Sequence, residues 1–304
     1  MAKKRLVALV FALVGAVVLA GCSGESRTDD GKPVVLTTFT VLADIGRNVA
    51  GDRLTVESIT KPGAEIHGYE PTPADVRKAA TASLIVDNGL GLEAWFAQFV
   101  ADVDAPRVVA SKGVKPIDIT SDAYAGKPNP HAWMSPPNVE IYVDNLVDAF
   151  IGIDAEGADT YRANAADYKK KLRAVQQDLV ASLKVLPANE RALVTCEGAF
   201  SYLARDAGLT ERYIWPVNAE QQATPQRVAA TIDFVRGKRV PAVFCESTVS
   251  DKAMRQVVGA TGARFGGTLY VDSLSLADGP VPTYLDLIRH DAKTIVAGLT
   301  GKAA

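Results

Sequence analysis

The sequence has few of the residues on which several protein classes depend. Its 304 residues include 3 cysteines and 3 histidines, and 7% of them are aromatic. Three cysteines cannot build the disulfide framework that stabilises small secreted domains. Acidic and basic residues nearly balance, at 35 against 33, and no basic stripe of the kind that binds nucleic acid occurs. A disulfide-rich domain and a nucleic-acid-binding protein are therefore excluded.

Two common hydrolase motifs are also missing. The sequence contains neither His-Glu-x-x-His nor Gly-x-Ser-x-Gly, which mark zinc metalloproteases and serine hydrolases respectively. A secreted metal-dependent hydrolase is one functional class to consider. Its chemistry would require an open coordination position on the metal and a nearby general base. The sequence offers no motif that supplies both.

The N-terminal segment has the pattern of an export signal. Three basic residues at positions 3 to 5 precede an uncharged apolar run, Leu6 to Ala20, which is shorter than a membrane-spanning helix requires. The run ends in Leu19-Ala20-Gly21-Cys22, which resembles the lipobox of bacterial lipoproteins. That resemblance implies a signal peptide at residues 1–21, diacylation of Cys22 and attachment to the outer face of a membrane. An ordinary signal peptide with an incidental cysteine, or an uncleaved anchor, is the alternative.

Beyond residue 32 the sequence predicts an α/β protein of two parallel-sheet lobes joined by one long helix. Polar residues 22–32 read as a flexible tether. Short β-rich runs then alternate with helical stretches, which favours βαβ units. We expect an N-terminal lobe at 33–157, a linking helix at 158–187 and a C-terminal lobe at 188–304.

The linking helix is predicted from the spacing of its apolar residues. Between Tyr161 and Leu186 they recur at intervals of three, four or seven, and neither glycine nor proline interrupts them before Pro187. A helix of this length would span roughly 40 Å, enough to run along two lobes. A solvated surface helix without a special role is the alternative.

Several other elements can be located from local signals. Thr72 and Pro73 predict the start of a helix, and Gly208, Gly262 and Gly301 predict the ends of three others. A helix is also expected at Leu92–Val103, and a strand at Leu269–Val271.

Two of the histidines lie in loops where a ligand would bind. His67 stands in His-Gly-Tyr-Glu-Pro-Thr-Pro and His131 in Asn-Pro-His-Ala-Trp, each shortly before a predicted helix. Loops at the carboxyl ends of parallel strands line the ligand crevice of such folds. A single loop histidine is more often a surface residue, but the shared context of these two favours a joint site.

Acidic residues stand at the ends of predicted strands in the second half. Glu197, Glu246 and Asp272 each follow such a strand. Each could simply cap the next helix. If they converged with the two imidazoles, they would form a mixed nitrogen and oxygen site for a divalent first-row metal.

Four segments together resemble the signature segments of the solute-binding lipoproteins that serve manganese and zinc ABC importers. They begin at His67, Asn129, Glu197 and Tyr270. The resemblance implies metal ligands at His67, His131, Glu197 and Asp272, two from each lobe, with Glu246 beside the site or in the packing around it. It also implies a monomeric extracytoplasmic binding protein rather than an enzyme, working with a membrane permease and a cytoplasmic ATPase.

The third implied ligand bears on the metal. Within this family, zinc carriers usually have histidine there and manganese carriers glutamate, and this sequence has Glu197. Zinc carriers often have a histidine-rich loop between the first two ligands, whereas residues 68–130 contain no histidine. The resemblance thus favours Mn²⁺, with Zn²⁺, Fe²⁺ or a surface adhesin role as alternatives. Cys196 and Cys245 could form a disulfide or stay as buried thiols.

Overall fold

A computed structural model describes residues 31–100, 103–217 and 223–301 of the chain. The predicted signal peptide, Cys22 and most of the tether lie outside these residues. In the described residues no helix combines the length and apolar character needed to cross a membrane. Strands and helices alternate in the following order: β1 Val34–Thr37, α1 Thr40–Ala50, β2 Thr55–Ser58, α2 Pro73–Ala80, β3 Leu84–Asp87, α3 Phe96–Phe99, β4 Arg107–Val109, α4 Pro136–Ile153, α5 Ala158–Leu183, β5 Ala192–Glu197, α6 Ser201–Ala207, β6 Thr210–Trp215, α7 Pro225–Lys238, β7 Ala242–Glu246, α8 Lys252–Thr261, β8 Arg264–Leu269 and α9 Tyr284–Thr300.

The N-terminal lobe is built on a parallel sheet with the strand order β2-β1-β3-β4. The central strand β3 is buried along its whole length, as expected for a strand covered by helices on both faces. In this order the chain runs from β1 to β2 on one side and from β3 to β4 on the other. The direction of the connections therefore reverses between β1 and β3, and such a reversal opens a crevice at the carboxyl ends of the strands.

The C-terminal lobe contains two pairs of parallel strands, β5 with β6 and β7 with β8. A disulfide between Cys196 and Cys245 joins β5 to β7, with the two Cα atoms 4.9 Å apart. The backbone N–H of Glu197 also donates to the Glu246 carboxylate at 3.1 Å. The ends of β5 and β7 are therefore held side by side at one edge of this lobe.

Helix α5 joins the two lobes as predicted. Its buried residues follow one face, and it packs against α1 and α4 of the N-terminal lobe and against α6 and α9 of the C-terminal lobe. At 26 residues it is about 39 Å long. Buried apolar residues of both lobes and of this helix form one continuous cluster, so the lobes share a core.

Helix α5 begins at Ala158, as predicted, but its C-terminal end differs slightly from the predicted one. The helix ends at Leu183 rather than Leu186, because Pro187 disfavours helical backbone in the residue before it. The guanidinium of Arg191 then donates to the carbonyls of Lys184 and Leu186. At the other end, Arg53 binds Asp154 through two hydrogen bonds of 2.6 and 2.8 Å, which holds the chain where α5 begins.

The helix predicted at Leu92–Val103 is wrong in extent, since α3 covers only Phe96–Phe99. The preceding residues Gly89, Leu90 and Gly91 all have positive φ angles. The buried carboxylate of Glu93 accepts hydrogen bonds from the backbone N–H groups of Asn88 and Gly89. These local bonds compete with helix formation and keep the segment in a turn.

The strand predicted at Leu269–Val271 is also misplaced, since β8 runs from Arg264 to Leu269. The strand passes through Gly266 and Gly267 with a shift of register against β7. A Cβ at Gly266 would lie 2.4 Å from the ring of Phe244, so glycine is needed for close packing. Asp272 therefore lies beyond the strand end rather than directly after it. The glycines Gly208, Gly262 and Gly301 do end their helices in the left-handed conformation.

We predict that a soluble form beginning after Cys22 has no free thiol when denatured without reductant, as measured by thiol titration. Reduction should lower the free energy of unfolding by about 2–4 kcal/mol, because the bond constrains the unfolded chain. A Cys196→Ser/Cys245→Ser variant serves as the control, since reductant should not alter its stability. Two titratable thiols in the unmodified protein would reject the disulfide.

Candidate metal centre

His67 lies in the loop that follows β2. Its backbone N–H and that of Gly68 donate to the two carboxylate oxygens of Glu65, at 2.7 and 2.8 Å. The indole N–H of Trp95 donates to the carbonyl of Ile66 at 3.0 Å. These bonds fix the loop around His67, whose side chain is 6% exposed.

His131 lies in a loop held mainly by the side chain of Asn129. The amide oxygen of Asn129 accepts from the backbone N–H and from Nδ1 of His131, at 3.0 and 2.9 Å. Its amide nitrogen donates across to the carbonyl of Gly198 at 2.6 Å, which fixes the orientation of the amide. With the proton of His131 on Nδ1, the lone pair of this ring lies on Nε2, which suits a metal ligand.

Glu197 is the last residue of β5 and is buried. Glu246 lies behind it at the end of β7, where its Oε2 atom accepts the backbone N–H of Glu197. Glu246 thus contacts the backbone of the predicted ligand. Gly198 follows, and a Cβ at that position would lie 2.5 Å from the carbonyl oxygen of Pro216, so only glycine fits this turn.

Asp272 belongs to the C-terminal lobe, but the N-terminal lobe holds the segment around it. The indole N–H of Trp133 donates to the carbonyl of Val271 at 3.0 Å. On the other side, the backbone N–H of Gly63 donates to the hydroxyl of Ser273 at 2.7 Å, and the backbone N–H of Leu274 donates to the hydroxyl of Thr40. Inter-lobe hydrogen bonds thus flank this carboxylate on both sides.

The four predicted ligand side chains converge at one point between the lobes. The Nε2 atoms of His67 and His131 are 3.1 Å apart. Each lies 3.6 Å from Oε1 of Glu197, and they lie 3.9 and 3.8 Å from Oδ1 of Asp272. Ligands at about 2.1 Å from a tetrahedral ion would be about 3.4 Å from one another. The spacing therefore suits a first-row divalent cation.

Burial controls the charge state of this site. It lowers the pKa of His67 to about 4 and that of His131 well below its ordinary value, so both imidazoles are neutral at neutral pH. Burial, with a contribution from the negative charge of Glu65, raises the pKa of Asp272 to about 7. It likewise raises the pKa of Glu246 to about 8. A bound divalent cation would favour the ionised carboxylates and release protons.

One oxygen of the site is left without a hydrogen bond. Oδ2 of Asp272 accepts from the hydroxyl of Thr248 at 3.4 Å, whereas Oδ1 has no hydrogen-bond partner among the described residues. A buried carboxylate oxygen without a partner is costly. Because Oδ1 points toward the two imidazoles, a cation held there would satisfy it.

A cavity of about 370 Å³ has His67 in its wall. The other lining residues belong to the N-terminal lobe, except Val217, which follows β6. Its walls are mostly apolar and include Leu90, Ile119 and Val217, with Lys127 over the ring of Tyr124. It gives the imidazole of His67 a route to solvent.

The structure brings together every side chain predicted as a ligand, with Glu246 behind Glu197. Sequence reasoning missed Glu65, Asn129, Trp133 and Thr248, each of which contacts a predicted ligand or its neighbouring backbone. Asn129 and Trp133 flank His131 within a segment that the sequence already singled out. Thr248 gave no local signal. The only local signal of Glu65 was its position two residues before a histidine.

Comparisons with known proteins identify relatives that match most of this chain. The family described as "Zinc-uptake complex component A periplasmic" (ZnuA) matches residues 35–298. An iron-binding protein of Yersinia pestis, YfeA, is 48% identical over 95% of this chain and 94% of its own length. The manganese ABC transporter substrate-binding lipoprotein PsaA of Streptococcus pneumoniae is 33% identical over 96% of both chains.

Solved structures resemble the fold closely. The manganese-bound periplasmic metal-binding protein of Candidatus Liberibacter asiaticus superposes with a TM-score of 0.83 at 38% identity, over 88% of this chain and all of that one. The periplasmic zinc-binding protein TroA of Treponema pallidum has a TM-score of 0.80 at 25% identity, over 88% of this chain and 99% of its own.

Several of the matched relatives are named as substrate-binding lipoproteins of metal ABC transporters, and the family consists of solute-binding proteins rather than enzymes. The shared fold, the inter-lobe cluster of histidine and carboxylate side chains and a match over most of its length lead to one conclusion. This chain belongs to the ZnuA family of metal-binding, periplasmic solute-binding proteins.

Proposed function

We propose that this protein captures Mn²⁺ outside the cytoplasm, through His67, His131, Glu197 and Asp272, and delivers it to an ABC importer. The observation that carries this proposal is the convergence of two neutral imidazoles and two buried carboxylates from separate lobes. Its partners are a membrane permease and a cytoplasmic ATPase. The protein acts as a monomer, does not bind nucleic acid, and divides into a lobe at 33–157, a linker at 158–187 and a lobe at 188–304.

The choice of Mn²⁺ rests on the donor set. Two nitrogen and two carboxylate donors, either carboxylate able to bind through both oxygens, suit an ion that accepts more than four ligands. Relatives named for manganese support the choice. Fe²⁺ is one alternative, because a relative at 48% identity is named for iron. Zn²⁺ is another, because the family is named for zinc uptake. Fe²⁺ lies next to Mn²⁺ in affinity order, and Zn²⁺ generally binds such sites more tightly.

We expect Mn²⁺ to stabilise the fold, because its ligands come together only when both lobes are formed. At a free concentration one hundred times the dissociation constant, the free energy of unfolding should rise by about 2.7 kcal/mol. His67→Ala and Asp272→Ala should each lose most of this gain, as measured by denaturant unfolding with and without Mn²⁺.

The controls are His290→Ala and Asp278→Ala, which remove the same side chains outside the site. They should keep the full gain. An equal Mn²⁺-induced gain in all four variants would reject the ligand assignment.

A second prediction concerns selectivity. Glu197→His replaces a carboxylate by a third imidazole, and Zn²⁺ gains more from imidazole in a tetrahedral set than Mn²⁺ does. The ratio of Zn²⁺ to Mn²⁺ affinity should therefore rise, as measured by competition titration at fixed pH. Glu197→Gln should weaken both metals without this rise. A ratio that is unchanged or lower in Glu197→His would show that Glu197 does not set the preference.

We also propose that the mature protein is anchored by lipid on Cys22, at the extracytoplasmic face of the cell membrane. Relatives named as lipoproteins support this anchor. Cys22→Ala should abolish acylation and leave the precursor unprocessed, whereas Ser23→Ala should behave as wild type. Equal processing and acylation of Cys22→Ala and wild type would contradict the anchor.

A further inference from the structure

A second set of ligand atoms overlaps the four-residue site. Glu65, His67 and Asp272 each offer one ligand atom, and these atoms lie within 4.8 Å of one another. His67 and Asp272 belong to both sets, and Glu65 is the additional member. The Glu65 residue is partly exposed, whereas the side chains of His131, Glu197 and Asp272 are at most 1% exposed.

The Glu65 carboxylate is held in place but still has capacity to bind a cation. One oxygen accepts from the backbone N–H of His67 and the other from that of Gly68. Each carboxylate oxygen has a further lone pair. Among the described residues Glu65 takes part in no ion pair, so no neighbouring cation competes for its charge.

The second set also includes Asp272, the residue that has a carboxylate oxygen without a partner. Oδ1 of Asp272 is buried and accepts no hydrogen bond within the described parts of the chain. It lies 3.9 Å from Nε2 of His67. A cation between Glu65, His67 and Asp272 would therefore satisfy Oδ1 before it reached His131 and Glu197.

A hydrated cation that enters a buried site must exchange its water for protein ligands. Removing an ion from water without a replacement is very costly, so a path that offers ligands in succession lowers the barrier. The exposure of Glu65, followed by the increasing burial of His67 and the other ligands, provides such a succession.

We infer that Glu65, His67 and Asp272 form an outer capture site, from which a divalent cation moves inward when His131 and Glu197 replace Glu65. This inference rests on the proposed function. Glu65 is thus a ligand for the entering ion, in addition to positioning the loop of His67.

The kinetic test uses Glu65→Gln, which removes the charge and one acceptor oxygen but keeps the size of the side chain. Glu70→Gln, an exposed glutamate of the same loop, is the matched control. Stopped-flow mixing of metal-free protein with Mn²⁺ should give an association rate constant lower by about five-fold or more in Glu65→Gln, with Glu70→Gln close to wild type. Glu65→Asp, which keeps the charge, should recover part of the rate.

The thermal stability of the metal-free variants separates this role from a structural one. If Glu65→Gln melts as wild type does and still binds Mn²⁺ more slowly, the outer site is supported. A rate constant within about two-fold of wild type would overturn it, since loss of a capture ligand must slow association.

The second test removes the inner ligands. A His131→Ala/Glu197→Ala variant should keep weak Mn²⁺ binding at the outer site, and adding Glu65→Gln should abolish that binding, as measured by the electron paramagnetic resonance of free Mn²⁺. Equal residual binding with and without Glu65 would reject the outer site. If wild type itself bound no Mn²⁺, the proposed function would fail; if wild type bound Mn²⁺ and Glu65 changed neither measurement, only the outer site would fail.

Discussion

The hydrogen bonds between the lobes around Asp272 are the constraint on which the rest of the site depends. Asp272 belongs to the C-terminal lobe, yet Trp133 and Gly63 of the N-terminal lobe bind the residues on either side of it. Both donors are buried or backbone groups with little freedom to move. The carboxylate can therefore reach the two imidazoles only while the lobes stay docked, and the docked lobes bury it beside them.

The rest of the architecture holds the two lobes against each other. Helix α5 packs against helices of both lobes, and one continuous apolar core extends through all three parts. Asn129 adds a polar link, because one side chain orients the imidazole of His131 and also binds the backbone next to Glu197. The disulfide between Cys196 and Cys245 holds β5 and β7 together one residue before Glu197 and Glu246. Such a scaffold favours local adjustment at the site over wide opening of the lobes.

Local sequence signals predicted most of the elements, for physical reasons. The period of the apolar residues in α5, the threonine cap at Thr72 and the glycine at Gly208 act within a few residues of the chain, so they can be read without the fold. His67 and His131 were predicted to lie near a ligand because loops at strand ends line the crevice of a parallel sheet, whereas the four-ligand set was predicted from the family resemblance.

The errors arose where distant residues decide the local structure. Gly266 lies within a strand because the ring of Phe244, on another strand, packs against it. Glu93 interrupts a predicted helix because its buried carboxylate also accepts from Thr38 at 2.7 Å. Glu65 was missed because its place beside Asp272 depends on the docking of the lobes. Contacts of this kind have no signature in a single local segment.

The most direct test of this account is anomalous diffraction at the manganese edge from crystals of the protein loaded with Mn²⁺. We expect one manganese peak between the lobes, with Nε2 of His67 and His131 and carboxylate oxygens of Glu197 and Asp272 at about 2.0–2.3 Å. A peak bound by residues of one lobe only, or a peak at another place on the molecule, would contradict it.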